Sequence, residues 1–385
     1  MIVAAVVVGL ANGFRRGFWL SLTQYVGLLV GVLLGAVAAQ PLLDYIKVTS
    51  PVARPLGAVL VLIIGGSLGS SIGYATGEPI RRRILRAGIH STTDSLGGAA
   101  LSTVAVLTIV WFVGLSFSRG PSQDVAQLIQ KSVVLHQLDS IAPRPPDFLA
   151  RVEGILAGVS FPTVFAGLEP KLPAPLAVPT SVDTPGVNNA AKAVVRVSSL
   201  GCGGLVTGSG FSIGGGYVVT NAHVVSGTHA HRVVTPGGNE LAATVVYFDP
   251  ARDFALLNVQ DLPSPGLGFG PATRGTEGAV IGYPGGGPEK IEPAVVDGAV
   301  EAQGRDIFST NPVTRQVYVI SGKVRPGNSG GPLVDLEGKV LGMVFATSAS
   351  DPNQAYALTD DEILSDLQDV KGRHTIDTSR YSCAA

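Results

Sequence analysis

The 385 residues leave room for two or three domains, and only 14% are charged, against about 25% in an ordinary soluble domain. With a mean hydropathy of +0.37, that shortage of surface charge places part of the chain in lipid. The net charge of −1 supplies no basic surplus for nucleic acid, and two cysteines exclude a disulfide-dense mini-scaffold and a four-thiolate zinc site.

Residues 1–14 carry no charge. At ~1.5 Å per residue they fall short of a ~30 Å hydrocarbon core. They also lack the basic start and small-residue cleavage site of a signal peptide. The stretch reads as a first span whose start is clipped. Residues 17–43, 55–77 and 95–118 contain no Asp, Glu, Lys or Arg. Each run exceeds the ~20 residues that a spanning helix needs. Arg15 and Arg16 follow the first stretch, and Arg81, Arg82, Arg83 and Arg86 follow the third; only Asp44, Lys47 and Arg54 lie in the thin loop between the second and third. The positive-inside rule puts both arginine-rich loops in the cytoplasm, so everything after about Arg119 is extracytoplasmic.

Two spans carry glycine stripes: Gly27, Gly31 and Gly35, then Gly65, Gly69, Gly73 and Gly77. Such stripes let another backbone come close, which suits packing within a four-helix bundle or an oligomer interface in the membrane. With no acid or base inside a span, a transporter relay has no candidate residue. Residues 120–160 repeat at helical spacing, as in Val125, Leu128 and Ile129, then Val133, Val134 and Leu138. Pro143, Pro145 and Pro146 break that helix, and a second starts near Asp147. These predict amphipathic helices at the outer membrane boundary. The stretch 169–186, with Pro170, Pro173, Pro175, Pro179 and Pro185, reads as an extended spacer.

Beyond residue 186 short β-branched runs recur between turn signals, at 193–197, 217–220, 244–247, 279–281, 316–320 and 339–345. About 200 residues of this kind suit two packed barrels. A closing helix is expected near 360–369, with Thr359 as its N-cap. The fold class is therefore multidomain: an all-α transmembrane bundle of about four spans (1–118), a juxtamembrane helical and Pro-rich linker (119–186), and an all-β double barrel (187–385).

Three residues of the β region form a chemical set. His223 stands in Val219-Thr-Asn-Ala-His-Val-Val225, Asp253 in Arg252-Asp-Phe-Ala-Leu-Leu257 and Ser329 in Pro326-Gly-Asn-Ser-Gly-Gly-Pro332. A serine hydroxyl needs an imidazole to take its proton, and a carboxylate must hold that imidazole in the right tautomer. The glycines around Ser329 let the backbone turn so that the N–H groups of Gly327 and Ser329 converge on the carbonyl oxygen under attack. Asp249 competes with Asp253 for the carboxylate role.

These motifs resemble those of chymotrypsin-type serine proteases, particularly the high-temperature-requirement branch, over about residues 190–370. That resemblance selects Asp253, matches Gly208-Ser-Gly-Phe211, and implies a cleft between two barrels. The small-residue-rich spans with Asn12-Gly-Phe-Arg-Arg-Gly-Phe18 resemble the colicin V production protein family. The combination is similar to the mycobacterial acid-resistance membrane serine proteases. Three implications follow from this likeness: a Cys202–Cys383 disulfide, a plasma-membrane protease acting outside the cytoplasm, and a role in acid and oxidative stress through envelope proteins such as peptidoglycan hydrolases. No cofactor or metal is expected. The high-temperature-requirement branch carries PDZ domains, for which the last 25 or so residues leave no room.

His229 and His231 are spaced to share a metal, but no carboxylate or cysteine cluster completes a site. His90, His136 and His374 have no assigned role. Lys323 falls where this fold sets the base of the S1 pocket, or else it extends into solvent. A peptide-binding sensor without catalysis and a membrane export factor are the competing function classes. The intact set of His223, Asp253 and Ser329 argues against the first, and the uncharged spans argue against the second.

Overall fold

The computed structural model describes residues 2–46, 53–86, 91–117, 128–141, 164–165, 167–170, 172–202, 204–349, 351–369 and 374–384. Lys47, His90, Val125, the prolines Pro143, Pro145 and Pro146 and the helix expected near Asp147 lie outside the described residues. The chain divides into two compact units, one helical and one β-rich.

The helical unit holds α1 (Ile2–Arg16), α2 (Phe18–Tyr45), α3 (Ala53–Arg86), α4 (Ser91–Phe117) and α5 (Val133–Ile141). Three of these, α2, α3 and α4, contain segments long and apolar enough to cross a bilayer. At 15 residues, α1 keeps the shortfall visible in its sequence. The glycine stripes face each other: a Cβ on Gly27 would strike the Gly69 carbonyl oxygen, and one on Gly31 that of Gly65. Packing of α2 on α3 within one chain therefore uses them.

One acid anchors the arginine-bearing ends of this unit. Gly17, at φ +80°, makes the turn from α1 into α2. The first N–H groups of α2 have no intrahelical partner. Asp94, only 3% exposed, supplies one, accepting from the N–H of Phe18 at 2.9 Å and of Trp19 at 3.4 Å. Arg81 Nε reaches its other oxygen at 2.8 Å, so the buried carboxylate is neutralised as well as bonded. The uncharged run begins at Ser95, one residue past it, so composition alone hides this acid.

The β unit begins with a segment that docks instead of spacing. Val164 and Phe165 are buried, and Phe165 meets Tyr356 edge to face at 5.5 Å. Glu169 accepts from Ser348 Oγ at 2.8 Å and from the Ala349 N–H at 2.7 Å. The Leu176 N–H donates to the fully buried Asp297, and the Pro173 carbonyl accepts from Gln354 Nε2. The expected free spacer is thus corrected: prolines that prevent helix also leave carbonyls open to side-chain donors of the barrel. The helix α6 (Pro185–Ala191) follows, with Thr184 as its N-cap and Pro185 in its first turn.

Twelve antiparallel strands then close two barrels. β1 (Val194–Gly201), β2 (Gly204–Gly214), β3 (Tyr217–Thr220), β4 (Thr228–Val234), β5 (Glu240–Asp249) and β6 (Phe254–Val259) form the first. Between β3 and β4 lies the one-turn helix α7 (Ala222–Val225). β7 (Glu277–Gly282), β8 (Lys290–Arg305), β9 (Pro312–Gly322), β10 (Pro332–Asp335), β11 (Val340–Thr347) and β12 (Gln354–Thr359) form the second. Val195, Val197, Val218, Val233 and Leu257 fill the first interior, and Val296, Ile320, Leu333 and Val344 the second. A third cluster joins the two, with Phe211, Val219 and Phe254 from one side and Ile281, Met343 and Phe345 from the other. Closure removes every sheet edge, and the seam between the barrels is left as the place for a cleft. The last helix, α8 (Asp360–Asp369), starts where Thr359 Oγ1 accepts from the Glu362 N–H, as its sequence predicts.

Candidate active site

His223 lies in α7, immediately after β3, and Asp253 immediately before β6; β3 and β6 pair, which brings the two side chains together. Asp253 Oδ1 accepts from the His223 N–H at 2.9 Å, and Oδ2 lies 2.8 Å from Nδ1. An ionised carboxylate can only accept, so Nδ1 carries the ring hydrogen and Nε2 presents a lone pair. The Asp253 side chain is wholly buried and that of His223 is 15% exposed. Asp253 holds φ +59°, a conformation that a non-glycine residue adopts at a cost of ~1–3 kcal/mol. Asn221 Nδ2 donates to its carbonyl at 2.9 Å and helps to keep it there.

Asp249 does other work. Its Oδ1 accepts from the N–H groups of Ala251 at 2.7 Å and Arg252 at 3.0 Å, closing the turn that delivers Asp253. Arg252 extends from that turn to Asp366 at 2.8 Å and Glu362 at 3.4 Å, both on α8. Burial pushes the Asp366 carboxyl up to about 7, against the hydrogen bond from Arg252.

Ser329 sits in the tight turn before β10, with Gly327 at φ +97° and Gly330 at φ +84°. Ser209 on β2 bolts this turn to the first barrel. Its hydroxyl donates to the Gly327 carbonyl at 2.7 Å, and its N–H donates to the Ser329 carbonyl at 2.7 Å. Thr220, at the end of β3, donates to the Ser209 carbonyl, so the strand leading to His223 and the Ser329 turn share one hydrogen-bonded chain. Gly208 must lack a side chain: a Cβ there would press on Val224 at 2.7 Å and on the Ser329 carbonyl at 3.2 Å. The motif around Gly208 entered the sequence reading only through resemblance, and the role of Ser209 was missed.

The candidate oxyanion site rests on one peptide. The Pro326 carbonyl accepts from the Gly285 N–H at 2.7 Å, which turns the Gly327 N–H the opposite way. Among the described residues, neither the Gly327 nor the Ser329 N–H has a hydrogen-bond partner. Ser329 is only 5% exposed, and buried donors are rarely left unpaired, so the pair is set for an incoming acceptor. No hydrogen bond joins Ser329 Oγ to the imidazole among the described residues; such bonds often tighten only in the Michaelis complex.

The remaining candidates separate clearly. His229 is exposed, whereas the ring of His231 is fully occupied by Ser199 Oγ at 2.8 Å and Thr378 Oγ1 at 3.0 Å, so the pair does not share a metal. Thr378 Oγ1 already donates to the Thr228 carbonyl, so it accepts from His231 Nε2–H, and Nδ1 accepts from Ser199. Burial, with His229 nearby, pushes His231 down to about 4, although Asp377 opposes this. Lowered folded affinity for protons means stability that is full above pH ~6.5 and lost as pH falls toward ~4. We expect His231→Gln to remove up to ~2 kcal/mol of acid-induced destabilisation, read as a flatter Tm profile between pH 7 and 4. Lys323 is exposed.

Cys202, in the β1–β2 turn, and Cys383, in the tail, form a disulfide with Cα atoms 5.7 Å apart. The tail leaves the second barrel through α8 and is sewn onto the first. The Ile376 N–H donates to the Val245 carbonyl, Gly227 N–H to Thr378, and Ser226 Oγ to Ser382. Tyr381 lies between Phe248 of β5 at 4.7 Å and Phe308 of the β8–β9 loop at 6.2 Å. Tail and disulfide together span the barrels whose relative placement assembles the site. Cys202→Ser should lower kcat/KM at least ~tenfold with a parental far-UV circular dichroism spectrum, because small misplacements of catalytic groups are costly while each barrel keeps its core. A variant with parental kinetics would remove this assignment.

Comparison with known proteins agrees with the two-part architecture. Residues 208–343 match the trypsin-like peptidase domain family and residues 1–143 the colicin V production protein family. Serine protease Rv3671c of Mycobacterium tuberculosis is 32% identical over 98% of this chain and 96% of its own. The crystal structure of the active form of the Rv3671c protease has a TM-score of 0.54 and 37% identity, covering 56% of this chain and 97% of that one. A probable periplasmic serine endoprotease, DegP-like, from Bartonella henselae is 37% identical over 39% of this chain. This chain, with its colicin V production-type region ahead of a trypsin-like peptidase domain, belongs to the serine protease family of Rv3671c.

Proposed function

We propose that the chain is a membrane-anchored endopeptidase that hydrolyses peptide bonds through an acyl-enzyme on Ser329. The observation that carries this reading is the doubly bonded His223–Asp253 pair beside the Gly327 and Ser329 N–H groups, unpaired among the described residues. His223 Nε2 takes the Ser329 Oγ proton as Oγ adds to the scissile carbonyl carbon. The carbonyl oxygen becomes an anion held by the two N–H groups, and Asp253 stabilises the imidazolium. The imidazolium then gives its proton to the leaving amine as the C–N bond breaks. Water, deprotonated by the same Nε2, then adds to the acyl carbon; the C–Oγ bond breaks, Nε2–H returns the proton to Oγ, and the acid product leaves.

The arginine clusters orient the anchor so that the protease domain faces away from the cytoplasm, across the plasma membrane from those loops. A disulfide between Cys202 and Cys383 suits that oxidising side. The substrates on this reading are cell-envelope proteins, peptidoglycan hydrolases among them, and the setting is acid and oxidative stress. The test compares envelope proteomes of cells carrying the parental chain and Ser329→Ala after acid challenge. New N-termini present only with Ser329 support the reading; identical proteomes and equal survival would overturn the physiological part.

A further inference from the structure

Arg315 on β9 is among the largest fully buried side chains, at 1% exposure, yet among the described residues it makes no direct salt bridge. Its Nε donates to the Ala251 carbonyl at 2.8 Å, two residues before Asp253 in the turn that delivers the carboxylate. Its Nη2 donates to the Arg305 carbonyl at 3.0 Å, and its guanidinium carbon lies 5.9 Å from the centre of the Phe345 ring. Phe345 follows Val344, whose backbone N–H and carbonyl bond Gly331 and Gly330 beside the nucleophile. One cation of the second barrel therefore touches both the Asp253 turn of the first barrel and the strand that supports Ser329.

A fully buried charge is expensive unless the fold uses it. Burial opposes the charge of Arg315, and the acids that sustain it are, in order, Asp253, Asp249, Asp306 and Glu362. Asp249 and Glu362 already serve Arg252 and the turn, and Asp306 is occupied by the N–H groups of Phe308, Thr310 and Asn311. That leaves Asp253, whose carboxylate is wholly buried and, among the described residues, bonded only through His223, as the negative charge that Arg315 answers.

We infer that Arg315 is a positioning residue for catalysis: its planar fork pins the strained Asp253 turn against the second barrel, and its charge offsets the buried carboxylate. The inference rests on the assignment of His223, Asp253 and Ser329 made above. It gives the guanidinium two separable duties. A lysine keeps the charge but cannot span two carbonyls with a planar fork, whereas a methionine keeps much of the volume and loses both. Removing a cation beside the Asp253–His223 pair also favours the imidazolium, so the base is lost at a higher pH.

The experiment uses the full chain in lipid nanodiscs and follows the second-order rate of a fluorophosphonate probe at Ser329 from pH 5 to 9. Arg315→Met is expected to react about 30-fold more slowly, with its acid limb moved upward by about half a pH unit. Arg315→Lys is expected to keep the parental limb and lose about tenfold in rate. A Met variant within threefold of parent, or one whose rate falls with an unmoved limb, overturns the inference. If the Met variant shows no cooperative unfolding transition, Arg315→Lys decides: a parental limb with a reduced rate supports positioning, and a parental rate overturns it. A parent chain that takes no probe at Ser329 overturns the assignment of the three residues, and this inference with it.

Discussion

Ser329→Ala and His223→Ala are each expected to lower kcat/KM on fluorescent casein by about 10⁴–10⁶-fold, with the double variant scarcely worse than either. The reason is that nucleophile and base act as a unit: without Oγ there is nothing to acylate, and without Nε2 the hydroxyl keeps its proton. Residual turnover then comes from the Gly327 and Ser329 N–H groups alone. Folding should be little affected. Ser329 Oγ makes no hydrogen bond among the described residues, and the turn is held by Ser209 through backbone atoms. Additive losses, with the double variant falling by the product of the two, would show that His223 does not serve Ser329.

Asp253→Asn is expected to cost about 10⁴-fold in kcat, and Asp249→Asn far less. An asparagine at 253 keeps the shape but offers an N–H toward Nδ1, which favours the tautomer with hydrogen on Nε2 and removes the lone pair Ser329 needs. It also leaves the imidazolium without its counter-charge. Among the described residues the Asp249 carboxylate bonds the turn alone, through the N–H groups of Ala251 and Arg252 and a long contact with the Arg252 guanidinium. An amide oxygen can still accept those two hydrogen bonds, so Asp249→Asn should retain kcat within roughly tenfold. A dead Asp249→Asn with an active Asp253→Asn would reverse the carboxylate assignment.

What was legible in the sequence depended on where the information sits. The β-branched runs correspond to β1, β3, β5, β7, β9 and β11, whose side chains announce them. Their partners are written differently. β2 reads Gly-Leu-Val-Thr-Gly-Ser-Gly-Phe-Ser-Ile-Gly, and β8 carries Pro293, Asp297 and Gly298. Such strands are made by the backbone ladder of their neighbours, which no side-chain pattern records. His223, Asp253 and Ser329 stood out because their chemistry imposes local motifs. Ser209 and Arg315 did not, because each acts through carbonyl and amide groups that any sequence possesses. The Pro-rich segment misled for the same reason: Pro173 and Leu176 are held by Gln354 and Asp297, more than a hundred residues away. Asp94 escaped because an acid one residue outside an apolar run looks like a loop residue until α2 is seen to start on it.

The most direct test of the central claim is peptide mapping of the full chain after reaction with a fluorophosphonate. The account predicts a single stoichiometric adduct on Ser329, lost in Ser329→Ala and slowed by decades in His223→Ala. An adduct on another serine, or one that forms equally fast without His223, would contradict it.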